Sequence, residues 1–321
     1  MKKPLVVYYL HYFDEALREP AFNKHKDYCV CVMAETHEEA IEKAKMIAGN
    51  PNIKIMGLAS GREEWVNERA PMGTGEEIMP LGGWNKQWKN LNIISMRISF
   101  ISDTHTQHRS LDGQLPGGAI LLHAGDLMNS GRDEQDIYDF CSWFERQNYM
   151  HKIFIAGNHD RLFENDPSEV KRIINNYDDI FYLEDEQMLI EGIKIYGTPW
   201  QPEFYNWAFN LPRRGQELEE KWNAIPEDVD ILITHGPPQG HLDVSGSPYN
   251  EGDLGCELLR VRVDQIKPKI HVFGHIHGSY GYKFHNGTHF INASVLTEQY
   301  REWNQPLTAD WNPETNELKF I

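Results

Sequence analysis

Residues 97–105 read RISFISDTH and residues 119–126 read AILLHAGD, and these two stretches decide the fold. Each is a short apolar run of strand length that ends in Asp with a His close by. The same punctuation recurs downstream. The run Lys152–Ile155 ends in Ala156-Gly157-Asn158-His159-Asp160, Asp230–Thr234 in His235-Gly236-Pro237-Pro238, and Ile270–Phe273 in Gly274-His275-Ile276-His277. A further strand pattern lies at Ile193–Tyr196. Helical patterns at Glu134–Arg146, Pro167–Asn175 and Arg214–Asn223 separate several of these runs. Strands alternating with helices predict an α/β domain with parallel strands. Runs at Tyr280–His285, Thr288–Asn292 and Leu318–Ile321 read as added antiparallel hairpins.

Ligands of open α/β sheets collect outside the carboxyl ends of the strands. Five such ends here carry Asp, His or Asn, and none offers Ser or Cys as a nucleophile. A single His-x-His or Asp after a strand means little, because Asp is a common turn residue and most histidines are structural. Five together describe a site. Gly125, Gly157 and Gly274 each stand immediately before a candidate ligand, where a missing Cβ permits a sharp turn and a close approach to an ion. Carboxylates and imidazoles without thiolates suit Mn first, with Fe, Zn, Ni or Co as alternatives, and argue against a closed structural zinc site. Asp103, His105, Asp126 and His277 can hold one divalent ion. Asp126, Asn158, His235 and His275 can hold a second, with Asp126 bridging. Two such ions about 3.5–4 Å apart acidify a water and clamp phosphoryl oxygens.

The chain has 321 residues with 31 Lys and Arg against 48 Asp and Glu, a net charge of −17. That balance makes nucleic acid an unfavoured partner and disfavours anionic membranes. Two bound cations would reverse the sign locally, so a phosphate ester remains an acceptable substrate. No apolar run approaches the ~20 residues of a membrane span. The four cysteines form no disulfide framework, and with no signal-peptide pattern at Lys2–Leu10 the expected location is cytoplasmic. The sequence carries no signal for an oligomeric state.

The charge is uneven. Residues 1–95 hold 12 basic against 13 acidic side chains, and residues 96–321 hold 19 against 35. Residues 1–70 read as a small α+β accessory domain. It has strands at 5–10, 28–34 and 53–58, and a helix from the capping box Thr36-His37-Glu38-Glu39 to Gly49-Asn50-Pro51. Residues 71–95, rich in Gly and Pro, read as a linker in which Trp84 and Trp88 could dock a short helix. Residues 96–321 form the domain that carries the chemistry.

The array D-x-H, G-D, G-N-H-D, H-G-P-P and G-H-x-H resembles the calcineurin-like metallophosphoesterase superfamily. More closely, residues 97 to about 300 resemble its metallophosphoesterase-domain (MPPED-type) phosphodiesterase branch. The stretches LPGGAILLHAGDLMNSG at 115–131, IYGTPWQPEFYNWAFNLPR at 195–213, ILITHGPPQGHLD at 231–243, HVFGHIHGSYG at 271–281 and INAS at 291–294 support this. The resemblance implies a four-layer α/β/β/α sandwich with a dimetal site at its strand ends. It also implies phosphoester hydrolysis by in-line attack of a metal-bridging hydroxide, without a covalent intermediate. Some animal members have Gly where this chain has His275, so the ligand set here is the complete one.

His159 follows Asn158 directly while the ligand count is full without it. It reads as the general acid to the leaving oxygen, or as a donor to the charge developing at phosphorus. The resemblance implies the same role, with Asp160 or another acid orienting the ring. Asn158, His159, Arg161 and Trp200 are the candidate substrate contacts. Trp200, Phe204, Tyr205, Trp207 and Phe209 cluster after one strand and could stack a base, or could equally be core. His123 and His271 read as supporting histidines and not as ligands. The leading expectation is a phosphodiesterase for a small phosphoester, cyclic nucleotides included. The alternatives are a phosphomonoesterase or phosphoprotein phosphatase, then a nuclease or a non-catalytic metal-binding scaffold.

Overall fold

Ile98, Phe100, Ile120, Leu122 and Ile153 point to one side of their strands, while Ile101, Leu121 and Phe154 point to the other. Both sides are buried, as the near-continuous apolar runs require of a central parallel sheet. In the computed structural model the described residues are 6–13, 27–34, 54–61, 79–80, 95–245 and 253–321. The strands of the main domain's first sheet are β5 (Met96–Ile101), β6 (Gly118–His123), β7 (Tyr149–Phe154) and β8 (Ile180–Tyr182), all parallel. β17 (Leu307–Asn312) and β18 (Glu317–Phe320) extend it antiparallel on the β5 side, giving the order β18-β17-β5-β6-β7-β8.

The second sheet repeats this plan. β10 (Ile193–Thr198), β13 (Ile231–Thr234), β14 (Ile270–Phe273) and β16 (Thr288–Asn292) run parallel. The antiparallel strands β9 (Glu186–Ile190) and β15 (Gly281–His285) close its edges. The inner faces of the two sheets share one core, in which Ile98, Phe100, Ile120 and Leu122 meet Ile195, Ile231, Ile233 and Val272. Burial of each such side chain contributes about 1.5–3 kcal/mol. Helices α1 (Glu134–Glu145) and α3 (Pro167–Ile174) cover the first sheet through Phe140, Phe144 and Ile173. Helices α4 (Gln216–Asn223) and α5 (Glu257–Ile266) cover the second through Trp222, Leu259 and Val263. The layers are therefore α/β/β/α. A one-turn helix α2 (Arg161–Asn165) and a two-strand ladder of β11 (Gln201–Pro202) with β12 (Asn210–Leu211) flank the strand ends.

The N-terminal strands β1 (Val6–Phe13), β2 (Asp27–Ala34), β3 (Lys54–Gly61) and β4 (Met79–Pro80) form an antiparallel sheet in the order β3-β1-β2-β4. Met79–Pro80 pairs with β2, so this part of the stretch read as linker is a strand of the N-terminal sheet. The helix expected after Thr36 and the one at Trp84 and Trp88 lie outside the described residues.

Candidate metal centre

Each candidate ligand sits one turn beyond a strand of one of the two sheets. Asp103 and His105 follow β5, Asp126 follows β6, Asn158 follows β7, His235 follows β13, and His275 and His277 follow β14. The two sheets meet face to face, so these strand ends converge. Ligand atoms of Asp103, His105 and His277 lie within 4.8 Å of one another, and so do those of Asp126, His235 and His275. His105 Nε2 is 3.7 Å and His235 Nε2 is 3.4 Å from Asp126 Oδ2, which places this carboxylate between the two groups. The side-chain oxygen of Asn158 is 2.9 Å from His235 Nε2.

The backbone is bent to achieve this. Asp103, His105, Asp126 and His275 all have positive φ, between 40° and 66°. Non-glycine residues in this region cost about 1–3 kcal/mol each and persist only when their surroundings over-determine them. Of the three glycines that precede ligands, only Gly125 has positive φ, at 96°. The other two supply space. A Cβ on Gly157 would lie 2.3 Å from Asp126 Oδ1, and one on Gly274 would lie 2.1 Å from Asp103 Oδ2. The glycines thus make room for a carboxylate from a distant strand end.

The imidazoles are pre-set for metal binding. His105 Nδ1 faces Met128 O at 3.1 Å, His235 Nδ1 faces Ala124 O at 2.9 Å, and His277 Nδ1 faces Thr297 O at 3.3 Å. A carbonyl can only accept, so each Nδ1 carries a proton and each Nε2 is turned to the centre. His105 Nε2 is buried and has no hydrogen-bond partner. Asp103 and Asp126 are buried carboxylates, and buried charge requires a countercharge. In the ion-free protein the histidines provide it. Burial pulls His235 down, but the adjacent Asp126 overrides it and brings it to about 9; burial likewise opposes, and Asp103 reverses, the shift of His277, which is raised. Burial lowers His105 to about 4 and His275 to about 3, so both offer a lone pair at neutral pH. Orphaned Nε2, locked tautomers and two buried carboxylates fit a pair of divalent cations.

A consequence can be measured. Cations must displace the proton on His235, because metal and proton compete for the same Nε2. Loading at pH 8 should therefore release on the order of one proton per chain, and affinity should weaken as pH falls below about 9. Calorimetric titration in buffers of different ionisation heat checks this; heats independent of the buffer would contradict it.

His159 stands over the same centre. A ring nitrogen of His159 lies within 4.8 Å of ligand atoms of His105 and Asp126, its backbone N–H donates to Asp126 Oδ1 at 2.7 Å, and its ring stacks on Trp207 with centroids 3.9 Å apart. Its Nδ1 is oriented by Asn129 O. Asp160, expected to orient the ring, does something else. Its carboxylate accepts the N–H groups of Met128 (2.8 Å), Gly157 (2.7 Å) and Leu127 (3.3 Å) and so ties the two ligand loops together.

Trp200 lies outside the lining of the cavity beside the centre. Its indole donates to Asp185 at 2.9 Å, packs edge-on against Phe209 and lies under Lys221. Neighbours in extended chain point to opposite sides, and it is Gln201 that faces the cavity beside the centre. Arg161 also lies outside that cavity's lining. It donates to Asn206 O at 2.6 Å and stands 4.6 Å from the Trp207 ring centre. Two residues were not legible as site residues. Ser294 donates to Asp103 Oδ2 at 2.8 Å, and the Tyr300 ring lies 4.8 Å from that of His105 and 5.0 Å from that of His277. Ser294 ends the INAS stretch, but no spacing rule ties it to Asp103. His123 and His271 bond Thr104 and Thr234, behind the ligand loops, as supporting histidines do.

An α/β/β/α sandwich with paired carboxylate-imidazole groups at its strand ends defines a dimetal hydrolase architecture. The calcineurin-like phosphoesterase family model matches residues 96–279. Metallophosphoesterase domain-containing protein 1 of Homo sapiens is 42% identical over 235 residues, which cover 67% of this chain and 70% of that protein. UPF0046 protein T07D4.2 of Caenorhabditis elegans is 37% identical over 246 residues, covering 67% and 60%. In fold, TT1561 of Thermus thermophilus is similar with a TM-score of 0.50 at 13% identity, covering 71% of this chain and 98% of that one. The chain belongs to the calcineurin-like phosphoesterase family. It is a metal-dependent hydrolase of phosphoester bonds in a family that uses two metal ions. Among the described residues no helix is long and apolar enough to cross a membrane.

Proposed function

We propose that the protein is a phosphodiesterase for small phosphoesters, with cyclic nucleotides among the diesters to assay, and that it works with manganese in the cytoplasm. The observation that carries the diester reading is the charge of the cavity wall. Among the described residues the one Arg or Lys lining it, Arg213, is already committed to Glu257 at 2.6 Å and to the carbonyls of Leu254 and Gly255. Glu203 and Glu298 line the same cavity. A dianionic monoester gains nothing from such a wall beyond the metal centre, whereas a diester brings a single charge and a second arm for the cavity. The reducing location rests on Cys141 and Cys256, buried free thiols among the described residues. The oxygen and imidazole donors suit Mn.

In this reading Asp103, His105, Asp126 and His277 hold one ion, and Asp126, Asn158, His235 and His275 hold the other. When bound, the pair supplies an acidified water and a positive clamp for the phosphoryl oxygens. Asn158 and His159 orient the phosphoryl group. His159, with its Nδ1–H held by Asn129 O, presents Nε2 to the departing oxygen; as the imidazolium it gives up its Nε2 proton there and is left neutral. Cys256 also lines the cavity, but burial raises its thiol pKa and its Sγ accepts the Leu259 N–H, so it is not a nucleophile.

The test is a paired assay on Mn-loaded protein with bis-(p-nitrophenyl) phosphate and p-nitrophenyl phosphate. A diester preference of about tenfold or more in kcat/KM is expected; a monoester preference would establish the phosphomonoesterase alternative. His159→Ala should lower kcat by about 10²–10⁴-fold with both ions retained. Loss of metal in that variant would make His159 a ligand instead.

A further inference from the structure

The cavity beside His275 has a volume of about 380 Å³ and runs from Asp126 and Asn158 past Phe204 to Pro237 and Leu254. Gln201 in its wall is 1% exposed, and its Oε1 is buried without a hydrogen-bond partner. The orientation of that amide is fixed by its neighbour. Asn210 Nδ2 donates to Phe204 O at 3.1 Å and to Tyr205 O at 3.0 Å, so Asn210 Oδ1 must be its acceptor side. Gln201 Nε2 therefore turns to Asn210 Oδ1, at 3.2 Å, and Oε1 is left over. It lies 3.9 Å from where a Cβ on Gly236 would be, and Gly236 lines the cavity too. The β11–β12 ladder and the Gln201 N–H bond to Phe209 O hold this residue in place.

A buried acceptor with no donor carries a desolvation penalty that a ligand's N–H or O–H would remove. We propose that this cavity is the leaving-group subsite, and that Gln201 Oε1 selects phosphodiesters whose leaving alcohol is a compact apolar body bearing a hydrogen-bond donor. The proposal deepens the diesterase reading and rests on it for the word "leaving". Phe204, Pro237 and Leu254 supply apolar walls, with the Phe204 ring edge-on to His275 at 5.5 Å. Glu203 and Glu298 at the same cavity favour a donor-bearing group and disfavour an anionic one. His159 lines the cavity as well, which puts the proton donor next to the oxygen that departs.

The test uses the full chain, Mn-loaded, and two substrates with nearly matched leaving groups: methyl 4-carbamoylphenyl phosphate and its N,N-dimethylcarbamoyl analogue. The first keeps an N–H donor and the second has none. The wild type should prefer the first by about 10- to 100-fold in kcat/KM. Gln201→Met, of similar length but without the acceptor, should reduce that ratio to within about threefold. The two parent phenols, titrated by NMR, should show the same order of affinity without turnover. Equal rates and equal phenol affinities in the wild type, or no binding of either phenol, would overturn the proposal. So would a preference that survives in Gln201→Met, because it would then be steric. If neither diester is hydrolysed while the phenol preference holds, the diesterase reading fails and the Gln201 contact stands. Should Gln201→Met not fold, the Gln201 side-chain amide resonance of the wild type reads the same contact: it should move with the primary amide only, and an equal response to both overturns the proposal.

Discussion

Asp126→Asn should abolish phosphoester hydrolysis, with a loss of about 10³-fold or more in kcat/KM, and lower the bound metal below two ions per chain. Asp126 is the one carboxylate whose oxygen stands between both imidazole groups, 3.7 Å from His105 and 3.4 Å from His235. An Asn side chain has nearly the same shape and can still accept the His159 N–H that Asp126 Oδ1 now receives at 2.7 Å. The loop should therefore keep its path, and the effect should be one of charge. In the ion-free protein the same change removes the partner that holds His235 protonated, so its pKa should fall from about 9. Elemental analysis and assay on the same sample decide the matter. Two ions with near wild-type turnover would show that Asp126 does not bridge.

Gly274→Ala should be almost as damaging without replacing any candidate ligand. Its Cβ would stand 2.1 Å from Asp103 Oδ2 and 2.2 Å from Ser102 Oγ. Asp103 cannot retreat, because it is fully buried and held by the Ser294 hydroxyl at 2.8 Å and the His275 N–H at 3.1 Å. Overpacking of this kind costs about 1–3 kcal/mol of stability. The displaced carboxylate should weaken metal binding and reduce kcat/KM by about 10²-fold, as a 1 Å misplacement can. Gly236→Ala is the matched control for folding, since its nearest neighbour would be Gln201 Cβ at 3.8 Å. Equal melting temperatures for the two variants would refute the steric account.

The pair of glycines shows where legibility stops. Gly236 follows a ligand and Gly274 precedes one, in motifs that look alike on paper. Only the packing reveals that one meets Gln201 at ordinary contact distance and the other a buried carboxylate brought from 171 residues away. Trp200 and Gln201 teach the same lesson at shorter range. The aromatic cluster draws attention in the sequence, yet the Trp200 indole is bonded to Asp185 and it is Gln201 that lines the cavity. The orienting group of His159 is a main-chain carbonyl, Asn129 O, and carbonyls leave no trace in a sequence.

What the sequence determined by itself was an α/β domain with parallel strands and the residue types at five strand ends. Both follow from local rules: apolar runs of strand length bury themselves, and short polar turns carry the ligands at the carboxyl ends of strands. Tertiary structure decided which ring nitrogen faces the centre, which glycine gives space, and which residue lines the substrate cavity. These depend on the meeting of two sheets whose strand ends are far apart in the chain, and distance along a chain says nothing about the angle at which two loops converge.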